Sequence, residues 1–481
     1  MIVRVVLICL TCALAGCRQA TRDFQSPVVV PSVWTQAREG SVLPDQWWTA
    51  LGDPSLDRLI DTALEGNFNL RTAWDRLSQA RAIARRDGAE TSPTLDGTAG
   101  VRRSRDQNSA TTTDWSLGLI ASYEVDLWGR VRSARDAALL DAMAAEEDVH
   151  AAAISLTAEI ASRWFEYAEQ DQRIEVLERQ RRNNQDVLEI ITAQFRAGQV
   201  RAEDVLRQQN LVESALGDLA IAQRQAETIR LQLLTLLGLS PGAVLPVERA
   251  VLIDLPPLPD IGVPATLLQR RPDVRSAYRA VQATDRRTAA AIADRYPSVS
   301  LSASVSTSAN RAGDLFDDWA GNLAGNLVQP LLDGGRREAE VDRTLAAVSE
   351  AINSYAQTVL TALSEVETAL AQERQQALYV RSTDKQFATA QKVVERVRDS
   401  YLGGQSEYLN VLDAQTSVQQ LELQRLEARR VLIGYRVDLS RALAGAWALP
   451  EPEPARFMEV DDAQSSPDTN APRETDPGDP E

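Results

Sequence analysis

One histidine (His150), two lysines (Lys385 and Lys392) and three cysteines (Cys9, Cys12 and Cys17) are nearly all that this 481-residue chain offers as imidazole, amine or thiol chemistry. A lone histidine excludes His-rich zinc sites and every triad that moves a proton through imidazole. It lies mid-helix among alanines and reads as a packing or surface residue. Neither lysine sits in a Gly-rich loop able to cradle nucleotide phosphates. The formal net charge is −17 and no basic patch stands out, which argues against nucleic acid as a partner. The pattern predicts no enzyme, no cofactor and no metal.

The remaining reactive candidate is Cys17. Arg4 supplies a positive charge, Val5 to Leu14 form an apolar core too short to span a bilayer, and Leu14-Ala15-Gly16-Cys17 closes the segment. That ending resembles the bacterial lipobox, whose cysteine thiol receives a diacylglycerol before cleavage. The mature chain would then begin at Cys17, with an acyl chain on its amino group. Arg18 follows where an aspartate would retain a lipoprotein at the inner membrane, so the sorting rule points to the outer one. Cys9 and Cys12 leave with the signal, and one remaining cysteine permits no intrachain disulfide.

What these residues would be mounted on is set by glycine and proline. Two stretches of about 67 residues contain neither, one between Gly129 and Gly198 and one between Gly335 and Gly403. As helices each would reach roughly 100 Å, about three times the hydrocarbon core of a membrane. The rest of the chain repeats around them. Phe68-Asn69-Leu70-Arg71 falls on Pro272-Asp273-Val274-Arg275, Trp115 on Trp319, Gly129-Arg130 on Gly335-Arg336, and Val205-Leu206 on Val411-Leu412. Each half reads as helix (Phe68 to Ser92 in the first), strand pair, long helix, tight turn and return helix (Val200 to Leu237). A Pro-rich linker from Leu255 to Pro264 separates the halves.

The strand pairs alternate. Val299, Leu301, Ala303 and Val305 oppose Ser300, Ser302, Ser304 and Ser306, while Trp319, Leu323, Leu327 and Leu331 share one face. Trp115, Leu117, Leu119, Ala121 and Tyr123 alternate against Ser116, Gly118 and Ser122. Such segments suit transmembrane strands with lipid on one side and water on the other, or any half-buried sheet. Polar loops are expected near Ser104 to Thr113 and Ser308 to Asp318. Four strands cannot close a barrel, for which about 8 is the practical minimum, so the chain must assemble with copies of itself.

Trp47-Trp48 with Asp53-Pro54, Val125-Asp126-Leu127-Trp128-Gly129-Arg130, Arg270-Arg271-Pro272-Asp273-Val274-Arg275, and Gln329-Pro330 with Asp333-Gly334-Gly335-Arg336 together resemble the TolC-like outer-membrane efflux proteins, in their OprM/NodT-type lipoprotein branch. The resemblance runs from about Val33 to Trp447. It implies a mainly α fold with a small transmembrane β part, built as a homotrimer: a 12-stranded barrel in the outer membrane continued by a 12-helix periplasmic cylinder. It divides the chain into a signal (1–16), a lipid-anchored segment (17–50), repeats over 51–253 and 265–447 flanking the linker (254–264), and a tail (448–481). It also implies a passive exit duct for small molecules such as drugs, opened by a periplasmic adaptor and an inner-membrane RND transporter. The exit channel of an ATP-driven type I protein secretion system is the alternative in the same fold, and a non-pore periplasmic coiled-coil adaptor the alternative outside it.

By chain path, the turns after the long helices lie farthest from the strands, and in the family such tips contact the adaptor. Arg196, Gly198, Tyr401, Gly403 and Ser406 take that role by resemblance. Leu409 and Asp413, four apart on one helix face, match the family's periplasmic constriction, an apolar ring followed by an acidic one. The sequence departs from the family at Thr416, where a basic residue is common. From Pro450 to Glu481 the chain holds ten acids, seven prolines and two arginines, a composition that cannot bury a core.

Overall fold

The computed structural model describes residues 28–34, 41–105, 111–247 and 250–452. The signal segment, Cys17 and the tail beyond residue 452 lie outside the described residues. The chain divides between Leu449 and Pro450, and everything below belongs to the first unit.

In chain order the elements are β1 (Ser41–Val42), a 3-10 turn (Trp47–Leu51), α1 (Pro54–Gly66), α2 (Phe68–Ala89), β2 (Thr94–Arg105), β3 (Thr111–Val125), α3 (Arg130–Arg196) and α4 (Ala202–Leu236). After them come β4 (Pro259–Asp260), α5 (Pro264–Arg270), α6 (Pro272–Ala293), β5 (Ser298–Ala309), β6 (Ala320–Val328), α7 (Arg336–Leu402) and α8 (Tyr408–Leu443). Both α3 and α7 run 67 residues, roughly 100 Å at 1.5 Å per residue. No described helix is long and apolar enough to cross a membrane.

The long helices begin the same way for one physical reason. Gly129 and Gly335 turn the chain through φ of +78° and +84°, and an aspartate just upstream satisfies the free N–H groups of the first turn. Asp126 accepts from the N–H of Arg132 at 2.9 Å and of Val131 at 3.3 Å. Asp333 accepts from Gly335 at 3.1 Å and Arg337 at 3.3 Å. Burial works against both carboxylates, but these N–H bonds and the paired arginines hold both below the usual range. Asp53 does the same for α1, accepting from Ser55 and Leu56 while also receiving the Trp164 indole N–H at 2.6 Å.

The main core lies around the middle of the long helices. Trp47, Trp48, Leu59, Ile60, Trp164, Phe165, Leu233, Val359, Val366, Val437 and Trp447 are buried together. Trp48 meets Trp447 edge-on, rings 5.2 Å apart. The buried Arg436–Glu373 pair ties this core to the linker, since Arg436 also donates to the carbonyls of Pro256 at 2.8 Å and Pro257 at 3.2 Å. Helix α6 packs between α3 and α7. Arg275 pairs with Glu147, Ser276 donates to Asp148 at 2.6 Å, and Arg287 pairs with Asp141, all between α6 and α3.

The four strands form one open antiparallel sheet in the order β2-β3-β5-β6, leaving β2 and β6 as edges. Cross-strand partners share a face, so register sorts the side chains. Leu95, Val101, Leu117, Leu119, Leu301, Val305, Leu323 and Leu327 lie on one side. Thr94, Thr98, Ser116, Ser122, Ser300, Ser304, Asn322 and Asn326 lie on the other. Strand β2 is exposed along its whole length, so the single chain covers neither side of it. Two expectations need correction. Strand β6 stops at Val328, because Pro330 has no N–H with which to extend the ladder, so Leu331 lies beyond the strand and Trp319 just before it. The first hairpin loop is also shorter than expected: Ser104, Arg105 and Thr111 to Thr113 are strand residues.

Candidate gate and docking tips

Both long helices end in one motif. After α3, Gly198 takes φ of +71° and the N–H of Gln199 reaches back to the Gln194 carbonyl at 2.9 Å. After α7, Gly404 takes φ of +70° and Gln405 reaches the Ser400 carbonyl at 2.8 Å. This is the Schellman closure, which needs a left-handed residue and therefore favours glycine. Gly404 is thus the counterpart of Gly198. Gly403 keeps φ of −81° and matches Ala197.

Around these turns Arg196, Gly198 and Gly403 are exposed, whereas Tyr401 and Ser406 are half-buried. Tyr401 donates to Gln194 at 3.3 Å across the two hairpins, and its ring lies 5.8 Å from that of Tyr408. Ser406 accepts from the Asn410 amide at 3.0 Å. Ile191, Tyr408 and Leu412 make a small core of their own beneath the tips. Leu409 and Asp413 sit one turn apart on the neighbouring, exposed face of α8. Thr416 turns its hydroxyl onto its own helix, donating to the Leu412 carbonyl at 2.9 Å.

A polar network joins the two hairpins where sequence reasoning singled out nothing. Asn184 of α3 is 1% exposed and Gln208 of α4 is fully buried. The Asn184 side-chain oxygen accepts from Gln415 at 3.0 Å and from Gln419 at 2.9 Å, both on α8. Its backbone carbonyl accepts from Gln208 at 2.7 Å, and Gln208 in turn accepts the Tyr408 hydroxyl at 2.7 Å. Burial, with Tyr401 and Asp204 adding to it, pushes the Tyr408 phenol far above its ordinary range, so it stays a donor. Gln180 and Arg179 continue the seam to Glu422. The available signal was four amides (Asn184, Gln208, Gln415 and Gln419) within otherwise amphipathic helices, which periodicity does not separate from solvated surface.

No reacting group gathers here, and among the described residues no cluster of His, Cys, Asp or Glu could hold a metal ion. The arrangement can hold two hairpins together or let them part.

The family model described as outer membrane efflux protein matches residues 59–239 and 263–445. The pyoverdine export outer membrane protein OpmQ of Pseudomonas aeruginosa is 31% identical, over 91% of this chain and 95% of its own length. The cation efflux system protein CusC of Escherichia coli O157:H7 is 30% identical, over 91% of this chain and 98% of its own. Among solved structures, the open-state MtrE outer membrane channel of Neisseria gonorrhoeae superposes with a TM-score of 0.80 at 28% identity, covering 89% of this chain and 98% of that one.

Proposed function

Because the chain belongs to the outer membrane efflux protein family, whose members are transport channels rather than enzymes, we propose that it is the trimeric exit duct of a tripartite pump. A periplasmic adaptor and an inner-membrane RND transporter open it. The observation that carries this reading is the open sheet: four strands, two unpaired edges, one apolar face and one hydroxyl-rich face. Unpaired edges in lipid would cost several kcal/mol per group. Three copies, joined β2 to β6, remove every edge and give 12 strands with the hydroxyls inward.

Below the sheet, α3 and α7 carry the wall across the periplasm. The tips at Arg196, Gly198, Tyr401, Gly403 and Ser406 meet the adaptor, and three copies of Leu409 and Asp413 form the constriction. Like acids around a narrow axis repel anions and favour opening once partners draw the hairpins apart. Cys17 adds a lipid anchor in the outer membrane. The cargo is a small molecule selected upstream; OpmQ and CusC are named for cargoes as unlike as pyoverdine and cations.

The test is single-channel recording from purified full-length protein together with deletion of the gene. Heat-modifiable mobility, conductance in bilayers and increased susceptibility to drugs or dyes are expected. Loss of one secreted protein with an unchanged susceptibility panel would move the chain to the protein-secretion reading. A soluble monomer without β structure in detergent would end both.

A further inference from the structure

At the hairpin end of the sheet, opposite the helices, strand β2 finishes Val101-Arg102-Arg103-Ser104-Arg105. Register places Arg102 on the hydroxyl-rich face, directly across from Asp114. Arg103 and Arg105 fall on the other face, in line with Leu95 and Val101, across from Thr113 and Thr111. Both are exposed, and no acid shares that face anywhere in the described strands. Neither has a salt-bridge partner among the described residues.

The apolar face has a readable depth. Tyr123 lies on it near the helical end, with Trp128 and Tyr296 stacked 4.9 Å apart just beyond. Trp115 lies on it at the hairpin end, paired with Val101, and Trp319 is 75% exposed there. Trp115 to Tyr123 spans about 27 Å of strand, which after tilt suits an apolar band bounded by aromatic girdles. The two arginines come immediately outside the outer girdle. Bare guanidinium groups on a lipid-facing surface are costly at mid-depth and tolerated at headgroup level.

We propose that Arg103 and Arg105 form a binding site for the phosphate groups of the phosphorylated glycolipid in the outer leaflet. The proposal rests on the channel reading, because it requires this face to meet lipid. Two guanidinium forks on one face, two residues and so ~7 Å apart, suit phosphate oxygens, which they bind bidentately. The uncharged threonines opposite add no negative charge to that face, and no acid lies on it among the described strand residues. On the other face Asp114 stands across from Arg102, which is why the pair and not the triplet forms the site.

The experiment is native mass spectrometry of the full chain in detergent, titrated with bisphosphorylated lipid A and with the same lipid stripped of phosphate. Wild type should prefer the phosphorylated form. Arg103→Gln with Arg105→Gln should weaken that binding by roughly 30-fold, at about fivefold per arginine, and leave binding of the stripped lipid unchanged. Arg103→Lys with Arg105→Lys should retain most of the preference. Equal binding of both lipids by wild type, or full binding by the glutamine variant, would overturn the site. Heat-modifiable mobility separates the two levels. An intact β assembly with unchanged lipid binding removes only this site, whereas no assembly in wild type removes the channel reading with it.

Discussion

Replacing Asn184 by alanine tests whether the amide network is a latch. The side-chain oxygen accepts two hydrogen bonds from α8, at 3.0 and 2.9 Å, and alanine leaves both glutamine amides without an acceptor. A buried group left unsatisfied costs about 1–3 kcal/mol. Gln415 and Gln419 are only half-buried, so about 1 kcal/mol each is the fair figure, or about 2 kcal/mol in all. Under the proposed gate, in which the hydrogen-bonded hairpins are the closed arrangement, the loss falls on that arrangement alone, because parted hairpins have already given up these bonds. The closed-to-open ratio should therefore drop by roughly 30-fold. The Gln208 contact survives, since it uses the Asn184 main chain. Open probability of the purified channel in planar bilayers reads the effect, and cells should become leaky to bulky antibiotics. A double-mutant cycle with Gln415→Ala and Gln419→Ala should show the triple variant no more open than Asn184→Ala. Unchanged open probability would mean that the network merely stiffens one arrangement of helices and that the latch argument is wrong.

Four further substitutions probe the tips and the shaft. Gly404→Ala forces a side chain into φ of +70° and should destabilise the second tip by about 1 kcal/mol, whereas Gly403→Ala, at φ of −81°, should be nearly neutral; hydrogen exchange at the turn distinguishes them. Burial, with Arg275 assisting and Glu147 and Glu146 opposing, lowers the pKa of His150, whose Nδ1 has no hydrogen-bond partner. The unfolded chain then binds the proton more readily, so stability should fall as pH drops below about 6.5 and level off beneath the folded value. Melting curves of His150→Gln should lack that step. Asp413→Asn should reduce the cation preference of the open channel, measured as reversal potential in a salt gradient, and an unaltered potential would remove Asp413 from the constriction.

Helix length and strand alternation were legible in the sequence because each depends on local chemistry. Gly129, Gly198, Gly335 and the Gly403-Gly404 pair bound the long helices simply by being the nearest residues able to break them. The alternation of Ser298 to Thr307 was as plain in the letters as it is in the sheet. What escaped was chemistry that depends on distant partners. Asn184 and Gln208 look like surface amides until α8 is laid across them. Arg436 looks like any helix arginine until Glu373 and two proline carbonyls surround it. Trp47-Trp48 and Asp53-Pro54 were visible only as a family pattern, and their reason is contact with α3: Trp47 donates to Thr157 and Asp53 receives Trp164.

The duplication also shows where the two halves have diverged. From Arg130 to Arg336, 206 positions, α3 maps onto α7. Helix α3 is flanked within the chain by α2 and α4 on its own side and by α6 and α8 of the other half; among the described residues α7 is flanked by α6 and α8 and touched briefly by α5. On α3 the second flank is held by Asp141, Glu147, Asp148 and Asn184. The matching positions on α7 are Ala347, Asn353, Ser354 and Ala390, without an acid among them. Likewise Arg287, the partner of Asp141, maps onto Ile83 of α2, which is 45% exposed in the single chain. In the proposed trimer, a seam between copies built on α7 and α2 would therefore lack the acid and amide contacts that these positions make inside each copy. Salt screens exposed ion pairs but neither neutral amide hydrogen bonds nor apolar contacts. A rise in ionic strength should accordingly weaken the half-exposed Arg287–Asp141 pair between α6 and α3 while leaving the Asn184 amide bonds between the hairpins in place.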